Sequence, residues 1–108
     1  MKINRGAIWW VNLDLTIGSE IKKRRPCVVM SHSIINEVRR TVVIVQLSSS
    51  SKEHAPISVS VKCQNSTAIA VCDQIRTVDK SRLVSYIEDL PGDDMQKLES
   101  SVRRVLVL

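Results

Sequence analysis

The segment Gly18-Ser19-Glu20-Ile21-Lys22-Lys23-Arg24-Arg25-Pro26-Cys27-Val28-Val29-Met30-Ser31 joins a small polar turn, one carboxylate and four consecutive cations to an apolar run. Arg25 stands where loop becomes strand. Its guanidinium is a planar donor fork that matches two oxygens of a phosphate, and Pro26 biases its backbone toward an extended form. Such a group suits an anionic ligand, for instance a phosphodiester. The residues alone leave a second reading open, in which Arg25 is a structural cation paired with Glu20 or Asp14 and the run is a solvated basic turn. Glu20 has the same two faces. It is either a base or orienting group beside Arg25, or half of a loop salt bridge that contributes little when exposed. A carboxylate beside a phosphate needs cations around it, and Lys22, Lys23, Arg24 and Arg25 supply them.

Further along, Ser48 ends the run Val42-Val43-Ile44-Val45-Gln46-Leu47. A hydroxyl there either donates to a phosphate oxygen or belongs to an ordinary serine-rich turn. Gln74 follows Asp73 at the end of another strand. A glutamine amide offers donor and acceptor together and can read a base edge exposed in a single strand. The alternative is a turn held by Asp73. Arg76, Lys80 and Arg82 read as surface or structural charges. Only two histidines are present, His32 and His54, both in expected loops. They form no acid–base pair, and no group of carboxylates, histidines or cysteines has metal-ligand spacing, so neither metal nor other cofactor is expected.

The elements that must hold these groups follow from the apolar pattern. Strands are expected at Ile8–Leu13, Pro26–Ser31, Thr41–Leu47, Ile57–Val61, Ala68–Val71 and Leu83–Ile87, with one helical turn at Ser33–Val38. Cys27-Val28-Val29-Met30 lacks alternation, as a strand covered on both faces does. After Pro91-Gly92, Asp93 reads as a helix cap with Gln96 as its capping-box partner, and Met95, Leu98, Val102 and Val105 recur at helical spacing. Trp9 and Trp10 are adjacent on a strand and must face opposite sides. One enters the core, and the other serves packing, an interface or base stacking. The apolar end Val105-Leu106-Val107-Leu108 points to burial, in a dimer for example.

Bulk properties set bounds. At 108 residues the chain reads as a single domain, 1–108, whose modest core invites association. A net charge of +5 favours polyanionic partners, nucleic acid first. With aromatics at 3%, a base-stacking platform such as an RNA-recognition motif is excluded. Three cysteines give neither a disulfide framework nor a zinc pattern and fit a reducing compartment. Cys27 and Cys72 read as buried, and Cys63, in a polar stretch, as exposed. No apolar run approaches the roughly 18–20 residues of a membrane span, and no signal core begins the chain, so a cytoplasmic location is expected.

Four segments in order carry a resemblance: Arg5-Gly6-Ala7-Ile8-Trp9-Trp10-Val11-Asn12-Leu13-Asp14, the Gly18–Ser31 block, Val42–Ser48, and Cys72-Asp73-Gln74-Ile75-Arg76-Thr77-Val78-Asp79-Lys80-Ser81-Arg82-Leu83. Together they strongly resemble the MazF/PemK family of toxin endoribonucleases, from about Arg5 to the C-terminal helix. The resemblance implies an α+β fold, a small and mostly antiparallel SH3-like β-barrel with a C-terminal α-helix, assembled as a homodimer. It implies metal-independent, sequence-specific cleavage of single-stranded mRNA through the 2′-hydroxyl, with 2′,3′-cyclic phosphate and 5′-hydroxyl ends. It also implies a cognate antitoxin whose disordered C-terminal segment lies across the RNA groove. Arg25 matches the family's catalytic arginine, Ser48 stands at its usual threonine, and Glu20 matches the glutamate of its Gly-Ser-Glu loop. Ser19, Lys22, Lys23, Asp73 and Gln74 are then RNA-contacting candidates.

Departures place the chain nearer the MazF branch. Ser19 stands where the PemK/Kid branch has histidine and Val71 where it has arginine; separately, Leu15 replaces the usual proline of the Asp-Pro-Thr loop, a change that bears on loop shape and sequence preference. Two rivals share the expected barrel: a non-catalytic RNA binder, and a poison of a protein target in the manner of the gyrase binder CcdB. Fold cannot separate them from a nuclease; Arg25 and Ser48 favour the nuclease. A polyproline-binding SH3-like module would need more aromatic residues.

Overall fold

A computed structural model describes residues 2–13 and 24–108. In chain order the elements are β1 (Ala7–Asn12), β2 (Arg24–Val29), α1 (Ser33–Val38), β3 (Thr41–Ser48), β4 (Ser58–Cys63), β5 (Ser66–Val71), β6 (Arg76–Asp79), β7 (Leu83–Asp89) and α2 (Gly92–Leu106), with short 3-10 turns at Cys72–Gln74 and Lys80–Arg82. The sheet runs β4-β5-β3-β2-β1-β7, β6 pairs with β3, and every pairing is antiparallel. It curls into a half-barrel closed by α2.

Strand β3 is the hub. Its β-branched run favours an extended backbone packed on both faces, and it pairs in turn with β2, β6 and β5. Successive side chains along β2 and β3 feed two separate cores. Val28, Val45 and Leu47 join Ile8, Val59, Val61 and Leu98 under α2. Cys27, Val29, Val42 and Ile44 join Trp9, Val11 and Val78 on the other side. This explains why Cys27-Val28-Val29 shows no alternation: all three are fully buried.

The α2 stripe lies as the spacing predicts, with Met95, Leu98 and Val102 buried and Val105 half-buried. Its start differs from expectation. Pro91 occupies the cap position without a side-chain hydrogen bond, and Asp93 falls inside the first turn. Asp93 and Asp94 there meet the positive end of the helix dipole instead of forming a capping box. At the other end Val107 turns left-handed (φ 58°), and Leu108 N donates to Arg103 O at 2.9 Å, closing the last turn.

Two other points differ from expectation, and a third concerns the single chain alone. Cys63 is buried, 6% exposed, because β4 extends to it and puts it on the inward side with Val59 and Val61. Strand β6 was not anticipated; it is four residues long and buries only Val78. Leu106, Val107 and Leu108 are exposed in the single chain.

Strand β4 ends the sheet, and side chains cover its free edge. Ser60 N donates to Glu53 Oε2, Lys62 N to Asp94 Oδ2 at 2.8 Å, and Gln64 N to Glu88 Oε2. Lys97 Nζ donates to Ser60 O at 2.7 Å. An uncovered edge would be a template for further strands.

Candidate active site

The site arises where two strands part. Strand β2 pairs with β1 through Val11↔Arg25 and Trp10↔Pro26, and with β3 only as far as Cys27↔Gln46. Beyond that pair β3 swings to β5 through Leu47↔Ala70 and Ser48↔Ile69. Continuing the β2–β3 register by two residues would set Arg25 opposite Ser48, so both fall at the mouth of the fork. They line one cleft of about 400 Å³. Arg24, Pro26 and Trp10 complete that wall; Gln64, Ser66 and Thr67, from the β4–β5 hairpin, face it.

Ser48 is 6% exposed. Its Oγ accepts from Ser50 N and Ser51 N, each at 3.3 Å, and from Ser51 Oγ at 3.1 Å. These three donors converge on its two lone pairs. For the hydroxyl proton, the acceptor in reach among the described residues is Ser50 Oγ, at a long 3.4 Å. The group is held by its acceptor side. Arg25 is half-buried and makes no salt bridge to a described carboxylate. Glu20 and Asp14, the partners the sequence offers it, lie outside the described residues, as do Ser19, Lys22 and Lys23.

The thiol of Cys27 lies below the fork. Burial pushes it up to about 12, against the pull of the Arg76 and Arg25 guanidinium groups, so it stays protonated and is no nucleophile. Arg76 sits opposite Ile44, on the same face as Cys27, which brings this cation nearer the fork than a plain surface charge would be. Arg82 is structural. Its Nη1 donates to Asn12 O at 3.2 Å and to Leu13 O at 3.0 Å, pinning the end of β1. Asn12 pairs with Arg24, which lines the cleft.

Asp73 and Gln74 lie apart from this cleft, exposed on the 3-10 turn after β5. The histidines also lie elsewhere. His32 caps α1, its Nδ1 accepting from Ile34 N at 3.1 Å, and His54 bridges to Ser58. Trp9 enters the core, with Tyr86 edge-on at 5.9 Å, while the half-buried Trp10 faces the cleft. Among the described residues no group of three or more His, Cys, Asp or Glu is placed to hold a metal ion. Gln64, Ser66 and Thr67 were missed by sequence reasoning. The available signal was the two-residue Gln64-Asn65 step between strand-like runs, which marks a hairpin tip.

Fold and site define a class: a curled antiparallel half-barrel with a C-terminal helix, carrying an arginine and a buried serine hydroxyl at a strand fork. A family profile described as "PemK-like, MazF-like toxin of type II toxin-antitoxin system" matches residues 4–106, and the chain belongs to that family. It is 26% identical to endoribonuclease EndoA of Bacillus subtilis over all of this chain and 97% of that protein. It is 29% identical to endoribonuclease PemK of Escherichia coli over 96% of this chain and 82% of that one. Among solved structures, a MazE–MazF complex from Deinococcus radiodurans aligns with TM-score 0.86 at 22% identity, covering 100% of this chain and 98% of that one.

Proposed function

We propose that the chain is the toxin of a type II toxin–antitoxin pair and acts as a metal-independent endoribonuclease on single-stranded mRNA. The observation that carries this is the pairing of Arg25 and the Ser48 hydroxyl at one cleft; the names of its relatives support the same reading. In the reaction the ribose 2′-oxygen attacks the adjacent phosphorus and the bond to the 5′-oxygen breaks. The 2′-hydroxyl gives up its proton and the leaving 5′-oxygen gains one, leaving a 2′,3′-cyclic phosphate and a 5′-hydroxyl. Arg25 donates to the phosphorane oxygens as their charge develops. Ser48 donates its proton to a phosphate oxygen or aligns the attacking 2′-oxygen. Glu20 orients Arg25 or contacts the substrate. Ser19, Lys22, Lys23, Asp73 and Gln74 contact the RNA.

The working form is a cytoplasmic homodimer inhibited by an antitoxin. Supporting the dimer, Ile34 and Val38 of α1 are 64% and 74% exposed and Leu108 is 85% exposed, apolar surface that a second copy would cover. Supporting the antitoxin, a solved relative is a MazE–MazF complex, and an acidic, partly apolar tail would complement the basic rim.

The test is incubation with mixed-sequence single-stranded RNA in excess EDTA, beside Arg25→Ala, with the ends mapped. Discrete cuts with cyclic-phosphate ends, lost in the variant, are expected. Intact RNA across varied substrates would overturn the nuclease reading.

A further inference from the structure

The two walls of the cleft differ in chemistry. Arg24 and Arg25 put the positive charge on one side, where a phosphate belongs. The facing wall, from the β4–β5 hairpin, is neutral and offers an amide and two hydroxyls from Gln64, Ser66 and Thr67. Such groups match the donor and acceptor pattern of a base edge better than they match a phosphate. The cleft volume of about 400 Å³ is that of a small-molecule site.

Gln64 is also an unexpected residue for its place in the backbone. It and Asn65 form a two-residue turn between Cys63 and Ser66, with φ of 52° and 61°. A turn of this kind favours Asn or Gly at both positions. Asn65 fits and Gln64 does not, so the local backbone does not explain the long amide. Its backbone is nevertheless clamped, since Gln64 N donates to Glu88 Oε2 across the strand edge. A side chain kept at a conformationally unfavourable position, on a fixed backbone, at a cleft, points to function.

We infer that Gln64 is a specificity-determining residue that reads one nucleobase of the RNA strand while Arg25 and Ser48 hold the phosphate beside it; the assignment rests on the endoribonuclease reading. Its amide makes a two-point contact with the base edge, and the hydroxyls of Ser66 and Thr67 border the same base.

Gln64→Gly tests this, because glycine suits the positive φ and removes only the reading group. Wild type, Gln64→Gly, Gln64→Asn and Arg25→Ala are compared on a mixed-sequence RNA pool, with every cut site and its relative rate mapped and each melting temperature measured. The expected result for Gln64→Gly is an unchanged or higher melting temperature with a roughly 10- to 100-fold loss of discrimination at one position of the motif. Gln64→Asn, whose amide is one methylene shorter, loses discrimination at the same position and guards against misfolding of the glycine variant. Unchanged relative rates at unchanged sites in both Gln64 variants, with Arg25→Ala inactive, would overturn this assignment alone. No cutting by the wild type would overturn the nuclease reading and this assignment with it.

Discussion

At Arg25 the shape of the cation matters as well as its charge. A guanidinium offers parallel donors to two phosphate oxygens, whereas an ammonium offers a point charge on a flexible stem. Arg25→Lys should therefore keep most RNA binding yet lower the single-turnover cleavage rate by about 10²- to 10³-fold, the usual effect of removing a preorganised donor. Ser48 separates hydroxyl from side-chain shape. Ser48→Thr keeps the hydroxyl and should retain cleavage within a few-fold. Ser48→Ala should lose about 10²-fold, and also about 1 kcal/mol of stability, because Ser50 N and Ser51 N lose their acceptor. A thermal melt beside the kinetics distinguishes the two losses. Cys27 gives a simple check on the fork's interior. With its thiol near 12, it should resist iodoacetamide at pH 8 in the folded protein and react once denatured, as peptide mass mapping would show.

The least conventional element is the covered edge of β4. Glu53 accepts hydrogen bonds from the Ser60 side chain and backbone, and these hold its carboxyl below the usual 4.5. A depressed carboxylate contributes stability above its unfolded value, and that contribution disappears as the pH falls through the lower folded value. The melting temperature of wild type should thus fall more steeply below pH 4.5 than that of Glu53→Gln, and the two curves should converge at the acid end. Equal slopes would mean that the Glu53–Ser60 latch adds nothing. In α2 the argument is packing alone. Leu98 is fully buried between the helix and the sheet, so Leu98→Ala should cost about 2–5 kcal/mol in a denaturant melt.

Two cores on opposite faces of one curled sheet make the fork possible at the scale of the molecule. The β2–β3 pair is shared by both cores, and where the pairing ends neither core fills the gap. The cleft is this unfilled corner. The exposed apolar residues of α1 and the C-terminus bear on association. A double variant, Ile34→Lys with Val38→Glu, should elute as a folded monomer in light-scattering chromatography at a concentration where wild type is a dimer. A wild-type monomer at high micromolar concentration would remove the basis for the dimer.

Much of this molecule was legible in its local patterns. Arg25 at the start of an apolar strand, Ser48 at the end of the most β-branched run, the doubly buried Cys27–Val29 stretch and the Met95–Val105 stripe all follow from side-chain type and period, which act over a few residues. Strand β6 left little trace because its stability comes from pairing with β3, with only Val78 buried. Cys63 read as exposed because its polar neighbours are in sequence, whereas its apolar neighbours, Val59 and Val61, lie along the inward side of its strand. Asp93 lost its capping role once Pro91, with its fixed φ, occupied the cap position. The meeting of Arg25 with Ser48 was suggested by resemblance but decided by register. Strand β3 leaves β2 after one particular pair, and the Gln64 hairpin then faces the opening. Sequence alone determined which residues could do the chemistry and which elements would carry them. The tertiary structure alone decided which of them share a cleft, because strand pairing joins residues far apart in the chain and no local period records where such a pairing ends.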